Sequence, residues 1–557
     1  MKKSLFIFTV FCLLLANILP AQEALKSMEE EYYDFLALQG LTERPALNYR
    51  TLSDSVWIAE KDASHLWQDQ NLGLFHPLFG DFRLRVYGPE LFMSGNTAAP
   101  YGQNDGVLWQ GRGFNALFIT GVRFEGYGVE LTLLPHLAFS QNADFEIMPS
   151  HYESKYGYFW GYGAPQSKSG GADAPQRFGD KPFFDWDFGD SEIRYTWKTL
   201  TAGFGTQAIW LGPAYLNPIL HSNNAPAYPK FDIGLRRQRV TIPKLDWYLG
   251  DVEARLWVGQ LTESGYFDND ESNNYTMLHG LVFSYAPSFL PGLTLFVNRV
   301  CLVPWKWKNL SYIIPRKMQE IEDQKASFGF SWIFPKVGFE VYGELGIDDY
   351  TKDIGGGGLI RNPFHTTVYT AGLKKSLQVI QEKKIYGELI FEFNWMEMTQ
   401  DFQFEWPYSF YFHHQITSGY TNRGQWLGAG SGWAGNNQFL AFIFYYPIGK
   451  SSLFIQRNNP DNNYLFKNAI YDTASDPALR AKNQHHYKAN FNIGVNTCYF
   501  ITKDINISGG IIYNMIINPL YKRTKETDST GDQPNEPDGD NVFLHNFSFQ
   551  LGIKINL

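Results

Sequence analysis

Three stretches of the chain concentrate residue types that hold a ligand without reacting with it. They are Tyr101 to Gly113 (YGQNDGVLWQGRG), Leu211 to Pro229 (LGPAYLNPILHSNNAPAYP) and His413 to Gly430 (HHQITSGYTNRGQWLGAG). Gly and Asn in each permit tight backbone turns. Aromatic faces cover apolar rings, amides satisfy hydroxyls, and arginine pairs bidentately with a carboxylate. Motifs for bond-making chemistry do not occur: there is no G-x-S-x-G elbow, H-E-x-x-H helix or Walker loop. The adjacent pairs His413-His414 and His485-His486 would point to opposite faces of a strand, so neither makes a natural chelate. Phe267 to Glu271, and the acids Asp528, Asp532, Glu536, Asp538 and Asp540, offer oxygen ligands of the kind calcium takes, but read more simply as solvated acidic loops. The expectation is a non-enzyme with no catalytic residue, no cofactor and no metal.

The elements that would position these stretches are strands. The last twelve residues, NFSFQLGIKINL, place Phe547, Phe549, Leu551, Ile553, Ile555 and Leu557 on one face, the period of two of a strand with one apolar side. The same alternation recurs near 81–92, 114–124, 127–139, 190–198, 201–208, 231–242, 251–261, 276–286, 293–303, 326–334, 337–346, 365–374, 383–398, 437–446, 451–457, 486–500, 505–517 and 543–557. That is about eighteen strands, an even number as in bacterial single-chain barrels. Connections alternate in length. Glu125-Gly126, Pro335-Lys336, 447–450 and 502–504 are short, whereas 140–189, 209–230, 399–436, 458–485 and 518–541 are long. Short turns on one side and long loops on the other are the asymmetry of an outer-membrane barrel.

Faces follow from alternation. Val252, Ala254, Leu256 and Val258 would meet lipid while Glu253 and Arg255 face the lumen, which also receives Glu340, Tyr342, Glu344, Glu388, Glu392 and Asn394. Charge on the lipid face would cost roughly 2–4 kcal/mol for Arg or Lys at the midplane.

Compartment and composition agree. Met1 to Ala21 has two lysines, an apolar stretch and a small residue at a cleavage position, the pattern of an export signal. Aromatic residues make up 17% and charged residues 18%, more aromatic and less charged than an average soluble chain. Beyond the signal no run of eighteen apolar residues offers a helical span. The net charge of −9 excludes a nucleic-acid partner, which calls for a basic surface. Cys301 and Cys498 read as packing residues. Between signal and barrel, Glu23 to Leu38 and Asp54 to Gln70 have helical patterning, with Ser53 and Asp54 as N-cap candidates. The domains are therefore a signal peptide at 1–21, a periplasmic helical plug region at 22–80, and an all-β transmembrane antiparallel barrel at 81–557 with extracellular loops.

The three ligand-holding stretches, together with LNYRTLSDSVW (47–57), resemble the Wzi family of outer-membrane capsule-assembly proteins. The resemblance implies a barrel of eighteen strands with periplasmic helices, acting as a surface lectin that organises or attaches capsular polysaccharide. On this reading Asn104, Asp105, Trp109, Arg112, Asn223, Asn224, Tyr420, Arg423 and Trp426 are the candidate polysaccharide-binding residues. Alternatively, Arg112 or Arg423 pairs with lumen acids such as Glu340 or Glu388, and the Asn-rich turns only shape loops packed into the barrel. The expected partners are capsular or other extracellular polysaccharide and outer-membrane lipid, with the barrel a monomer. A porin-type solute channel is the competing function, separated from the first by whether the lumen is open. An outer-membrane hydrolase is a third, requiring a nucleophile, base and orienting group at the outer rim.

Overall fold

The computed structural model describes residues 27–557 apart from 58–63, 74, 148–171, 269, 315–320, 349–366, 398–409, 414, 433–434, 461–486 and 522–539. The export signal, His414, His485-His486 and the acids from Asp528 to Asp538 lie outside the described residues.

Eighteen antiparallel strands close into a barrel. They are β1 (Arg83–Asn96), β2 (Gly113–Gly126), β3 (Val129–Leu133 continued by His136–Ser140), β4 (Phe183–Asp187 continued by Glu192–Trp197), β5 (Leu200–Gly205), β6 (Lys230–Ile242), β7 (Trp247–Thr262), β8 (Tyr275–Pro287) and β9 (Leu293–Pro304). They continue as β10 (Asp323–Phe334), β11 (Phe339–Asp348), β12 (Thr367–Ile380), β13 (Ile385–Trp395), β14 (Asn436–Tyr446), β15 (Gly449–Asn459), β16 (Ala489–Phe500), β17 (Ile505–Ile517) and β18 (Phe543–Ile555). Each pairs with the next, and β18 closes the ring on β1 with Phe549 opposite Gly95. Closure removes the unpaired edges that a bilayer would not tolerate.

The expected alternation is realised residue by residue. Glu253, Arg255, Glu340, Tyr342, Glu344, Glu388, Glu392 and Asn394 are all buried inside, while Phe283, Val297, Ile493 and Ile511 stand on the outer face with about half their surface exposed. Cys301 and Cys498 are both buried. No described helix is long and apolar enough to cross a membrane; the crossing elements are the strands.

Two strands are broken. Pro135 has no N–H to give the ladder and splits β3. Opposite it, Gly189 adopts φ +52°, and a Cβ there would lie 2.3 Å from the Leu134 carbonyl oxygen. The first half of β4, Phe183–Asp187, falls in a stretch that the sequence assigned to a loop. Its alternation, Phe184 and Trp186 outward and Asp187 inward, spans only five residues and carries two acids.

Among the described residues there is one α-helix, α1 (Met28–Leu38), besides two short 3-10 turns at Trp307–Ile313 and Pro335–Val337. Ser27 caps it by accepting from the Glu30 N–H at 3.2 Å, and Glu29, Glu30 and Glu31 place negative charge in its first turn. Tyr32, Phe35, Leu36 and Leu38 form its buried stripe. The second helix expected over 54–70 does not appear among the described residues, where 52–54 and 66–69 form turns. Trp67 folds back instead, stacking on Tyr32 with ring centroids 4.0 Å apart and donating its indole N–H to the Tyr446 carbonyl at 2.8 Å.

Candidate functional site

The lumen is filled from both ends, and single wall side chains pin what fills it. At the turn-bearing end, α1 lies inside the ring. Glu29 takes Lys554 of β18 at 2.8 Å and Asn556 at 3.2 Å, Glu31 pairs with Lys450 of β15, and Asp34 pairs with Lys374 of β12 at 2.5 Å. Arg44 follows with a bidentate bridge to Glu340, both contacts 2.8 Å. The chain then runs up the lumen, where the Glu253 carboxylate accepts three consecutive backbone N–H groups, from Leu47, Asn48 and Tyr49, at 2.8, 3.0 and 2.7 Å. Asp54 ends this run between Arg236 (2.6 Å) and Arg255 (3.1 Å). Arg255 shares Asp232 with Arg194, and Arg236 continues to Glu130 and Arg123.

From the other end, Glu392 repeats the device on the second stretch, accepting from the N–H groups of Tyr215, Leu216 and Asn217 at 2.6, 3.1 and 2.8 Å. Asn546 of β18 does the same for the connection after β1, its Oδ1 accepting from Ala98 and Ala99 at 2.8 and 3.2 Å. Sequence placed Glu253 and Glu392 on the lumen side, but nothing in the alternation marked them as acceptors for backbone from distant parts of the chain.

The three ligand-holding stretches do converge. Asn224 accepts from the Asn104 N–H at 3.1 Å and donates to the Trp426 carbonyl at 3.0 Å, while the Asn223 carbonyl accepts from Gly106 at 2.9 Å. Within this cluster the nine candidates have different fates. Asn104 is buried, sits at φ +62° and donates to the Leu216 carbonyl at 3.0 Å. Asp105 accepts from Gln110 at 2.8 Å. Trp109 is half-buried against Phe178, centroids 5.0 Å apart, with its indole nitrogen unbonded among the described residues. Arg112 donates to the carbonyls of Thr97 (3.1 Å) and Asp144 rather than to Glu340 or Glu388. Asn223 is buried with neither side-chain atom bonded among the described residues. Tyr420 is fully buried, stacked on Tyr411 and donating to the Leu220 carbonyl at 2.7 Å, so it braces the core beneath the surface. Arg423 pairs with Asp185 of β4, not with a lumen acid. Trp426 is half-buried, its ring stacked 5.7 Å from Tyr411.

Titrating groups in these connections are held away from their ordinary behaviour by burial. His221 is pushed down to about 3, and its ring is fixed between the Tyr228 hydroxyl (2.7 Å) and the Ile209 carbonyl (3.0 Å), so it stays neutral near pH 7 and acts as a brace. Asp173 is pushed up to about 6 by burial while accepting from Ser264. Glu263 rises to about 9, first through burial and then through the nearby charges of Asp268 and Asp173. Among the described residues no group of three or more His, Cys, Asp or Glu is arranged to hold a metal ion.

Beside the plug and loops a cavity of about 920 Å³ remains, bounded by Met28 and Glu31 of α1, by Trp109 and Arg112, and by the inner faces of β15 to β18. Its size is that of a ligand site.

A closed antiparallel barrel of eighteen strands, apolar outside and filled within, defines an outer-membrane β-barrel. The family resemblance read from the sequence holds: residues 164–301 match the profile of the capsule assembly protein Wzi, and the barrel is Wzi-like along its length. The solved structure of Wzi from Escherichia coli superposes with a TM-score of 0.58 at 12% identity, covering 97% of this chain and 99% of that one; it is described as an outer-membrane protein involved in group 1 capsule assembly and a carbohydrate-binding β-barrel. Acinetobacter baumannii OccAB1 gives a TM-score of 0.35 at 10% identity over 85% of this chain and 97% of that one. Pseudomonas aeruginosa OprD gives 0.35 at 10% identity over 85% and 93%. Comparison with curated protein sequences yields no match.

Proposed function

We propose that this barrel binds surface polysaccharide and organises or attaches it at the cell exterior, as a binding factor and not an enzyme, working as a monomer with lipid around its apolar belt. The observation that carries this reading is the filled lumen. The N-terminal run is anchored by Glu253, Asp54 and Arg44, and the second stretch by Glu392. A solute channel gains nothing from so many buried charge-assisted contacts across its bore. The likeness to Wzi, itself described as carbohydrate-binding, points the same way. The contact surface is drawn from the candidates that are not wholly buried: Asp105, Trp109, Arg112, Arg423 and Trp426. Trp109 and Trp426 supply faces for sugar rings, and Arg112 supplies a cation for acidic residues of the polymer.

Trp109→Ala combined with Arg112→Ala releases polymer from cells that display the protein, while heat-modifiable gel mobility, the sign of an intact barrel, is unchanged. Undiminished retention would remove the first loop from the binding surface. Single-channel recording of the purified wild type shows no steady open current; a persistent open level returns the protein to the porin class.

A further inference from the structure

The lumen wall is divided by chemistry. Strands β2 to β12 present the arginines and carboxylates that grip the plug, among them Arg123, Arg236, Arg255 and Glu340. Strands β14 to β18 hold only three residues from the Asp, Glu, Lys and Arg set: Lys450, Arg457 and Lys554. Both lysines are committed to α1, through Glu31 and Glu29. Arg457 donates to Asn436 and Gln438, each at 2.8 Å, and Gln438 lies on the opposite face from the lumen-lining Phe439. Above α1 these strands turn no charge inward, and the next cation is Lys488, which lines the cavity just before β16 begins.

In place of charge it carries amides in register. Asn514, Asn492 and Gln456 stand directly opposite one another on three successive strands, and Asn490 stands opposite Asn458 one step along. The Asn492 side chain donates to Gln456 at 2.8 Å, and Asn514 donates to Asn492. All five line the 920 Å³ cavity. An aromatic floor meets them: Tyr215 stacks on Phe439 with centroids 5.7 Å apart, and Phe454 lies 5.7 Å from Phe439. Amides offer both donor and acceptor, which suits hydroxyls, and an aromatic face suits the C–H side of a pyranose. A carboxylate placed against Gln456, Asn492 and Asn514 would lose its water and meet only amides on those three strands, the lining cations Lys488 and Arg112 standing outside that row.

Resting on the polysaccharide-binding reading above, we infer that this amide-walled cavity is an internal subsite for an uncharged stretch of glycan, a run of neutral hexose units. Acidic residues of a polymer stay outside the amide row, where Arg112 and Lys488 stand.

The test uses the full-length protein in detergent, titrated calorimetrically with neutral oligosaccharides (malto-, cello- and laminari-oligomers) and with an oligogalacturonate. At least one neutral series binds and the oligogalacturonate binds at least about tenfold more weakly. Gln456→Leu with Asn492→Leu lowers neutral affinity by at least about tenfold, as the loss of two or more hydrogen bonds requires. Ser452→Trp, which fills the cavity without removing an amide, also abolishes binding, and it serves if the double variant does not fold. The inference is overturned if no neutral oligomer binds, if the acidic oligomer binds as tightly, or if both variants bind like wild type. Polymer retention by displaying cells separates the two readings. Retention that depends on Trp109 and Arg112 but not on the amides leaves the surface reading intact and ends this one, and no retention at all ends both.

Discussion

Replacing Glu253 by Gln tests whether one carboxylate holds the plug's ascending run. The wild-type group accepts from Leu47, Asn48 and Tyr49 at 2.7–3.0 Å in a site where Asn48, Tyr49 and Glu253 are each at most 2% exposed. Oε1 takes the Asn48 and Tyr49 N–H groups and Oε2 takes that of Leu47, so glutamine keeps the first two as neutral bonds and turns its NH2 toward the third. One charge-assisted bond is then lost at about 1.5–3 kcal/mol and two are weakened by about 1–1.5 kcal/mol each, about 3–6 kcal/mol in all. With about 1.4 kcal/mol per tenfold, the local docked-to-undocked ratio falls by about a hundredfold to ten-thousandfold. Arg44 on one side and Asp54 on the other keep their own partners, so the opening is confined to the residues between them. Hydrogen exchange followed by mass spectrometry reads this directly: amides 47–49 exchange at least about a hundredfold faster in the variant, while α1 keeps its protection. Unchanged protection at these amides, or its loss throughout the barrel, would refute the claim that Glu253 is a local clasp.

Two further substitutions probe separate parts of the molecule. Trp67→Ala removes a fully buried indole that stacks on Tyr32 and meets Phe500 edge-on, and costs about 3–5 kcal/mol, read as a lower temperature for the heat-induced shift in gel mobility. Glu263 has a folded-state pKa raised from 4.5 to about 9, so its proton stabilises the connection after β7 fully below about pH 4.5, and that contribution is lost as pH rises through about 9. Limited proteolysis of this connection therefore quickens between about pH 8 and pH 10 in the wild type, above the range where Asp173 titrates, and Glu263→Gln removes that rise.

The barrel was legible because a period of two survives on nearly every strand. Val252 to Leu261 announces both faces of β7, and Glu253 and Arg255 lie inside as read. Closure and strand number followed from the same signal. The contents of the lumen were not legible in that way. A polar, Asn- and Gly-rich loop looks the same whether water or wall side chains satisfy its backbone, and only the structure shows Glu392 drawing 215–217 inward. Apolar residues in IWLGPAYLNPIL were a usable hint, since Ile209, Leu211, Ile219 and Leu220 are fully buried. The helical pattern over 54–70 misled because Trp57 and Trp67 are spaced for stacking on Tyr33 and Tyr32, each ring pairing separately with α1. Arg423 found Asp185 because that acid arrives on a half-strand hidden inside a long connection.

The contact between Glu29 and Lys554 bears on how the protein is made. Lys554 sits on β18, the strand that zips against β1 to complete the cylinder, where it lies opposite Glu90. A helix near the N-terminal end of the chain thus carries a counter-ion for the strand that closes the ring. A ring that seals with the helix left outside buries this lysine without Glu29 and with only the longer contact to Glu90 at 3.9 Å, so the seam itself reports whether its cargo was loaded before the lid was shut.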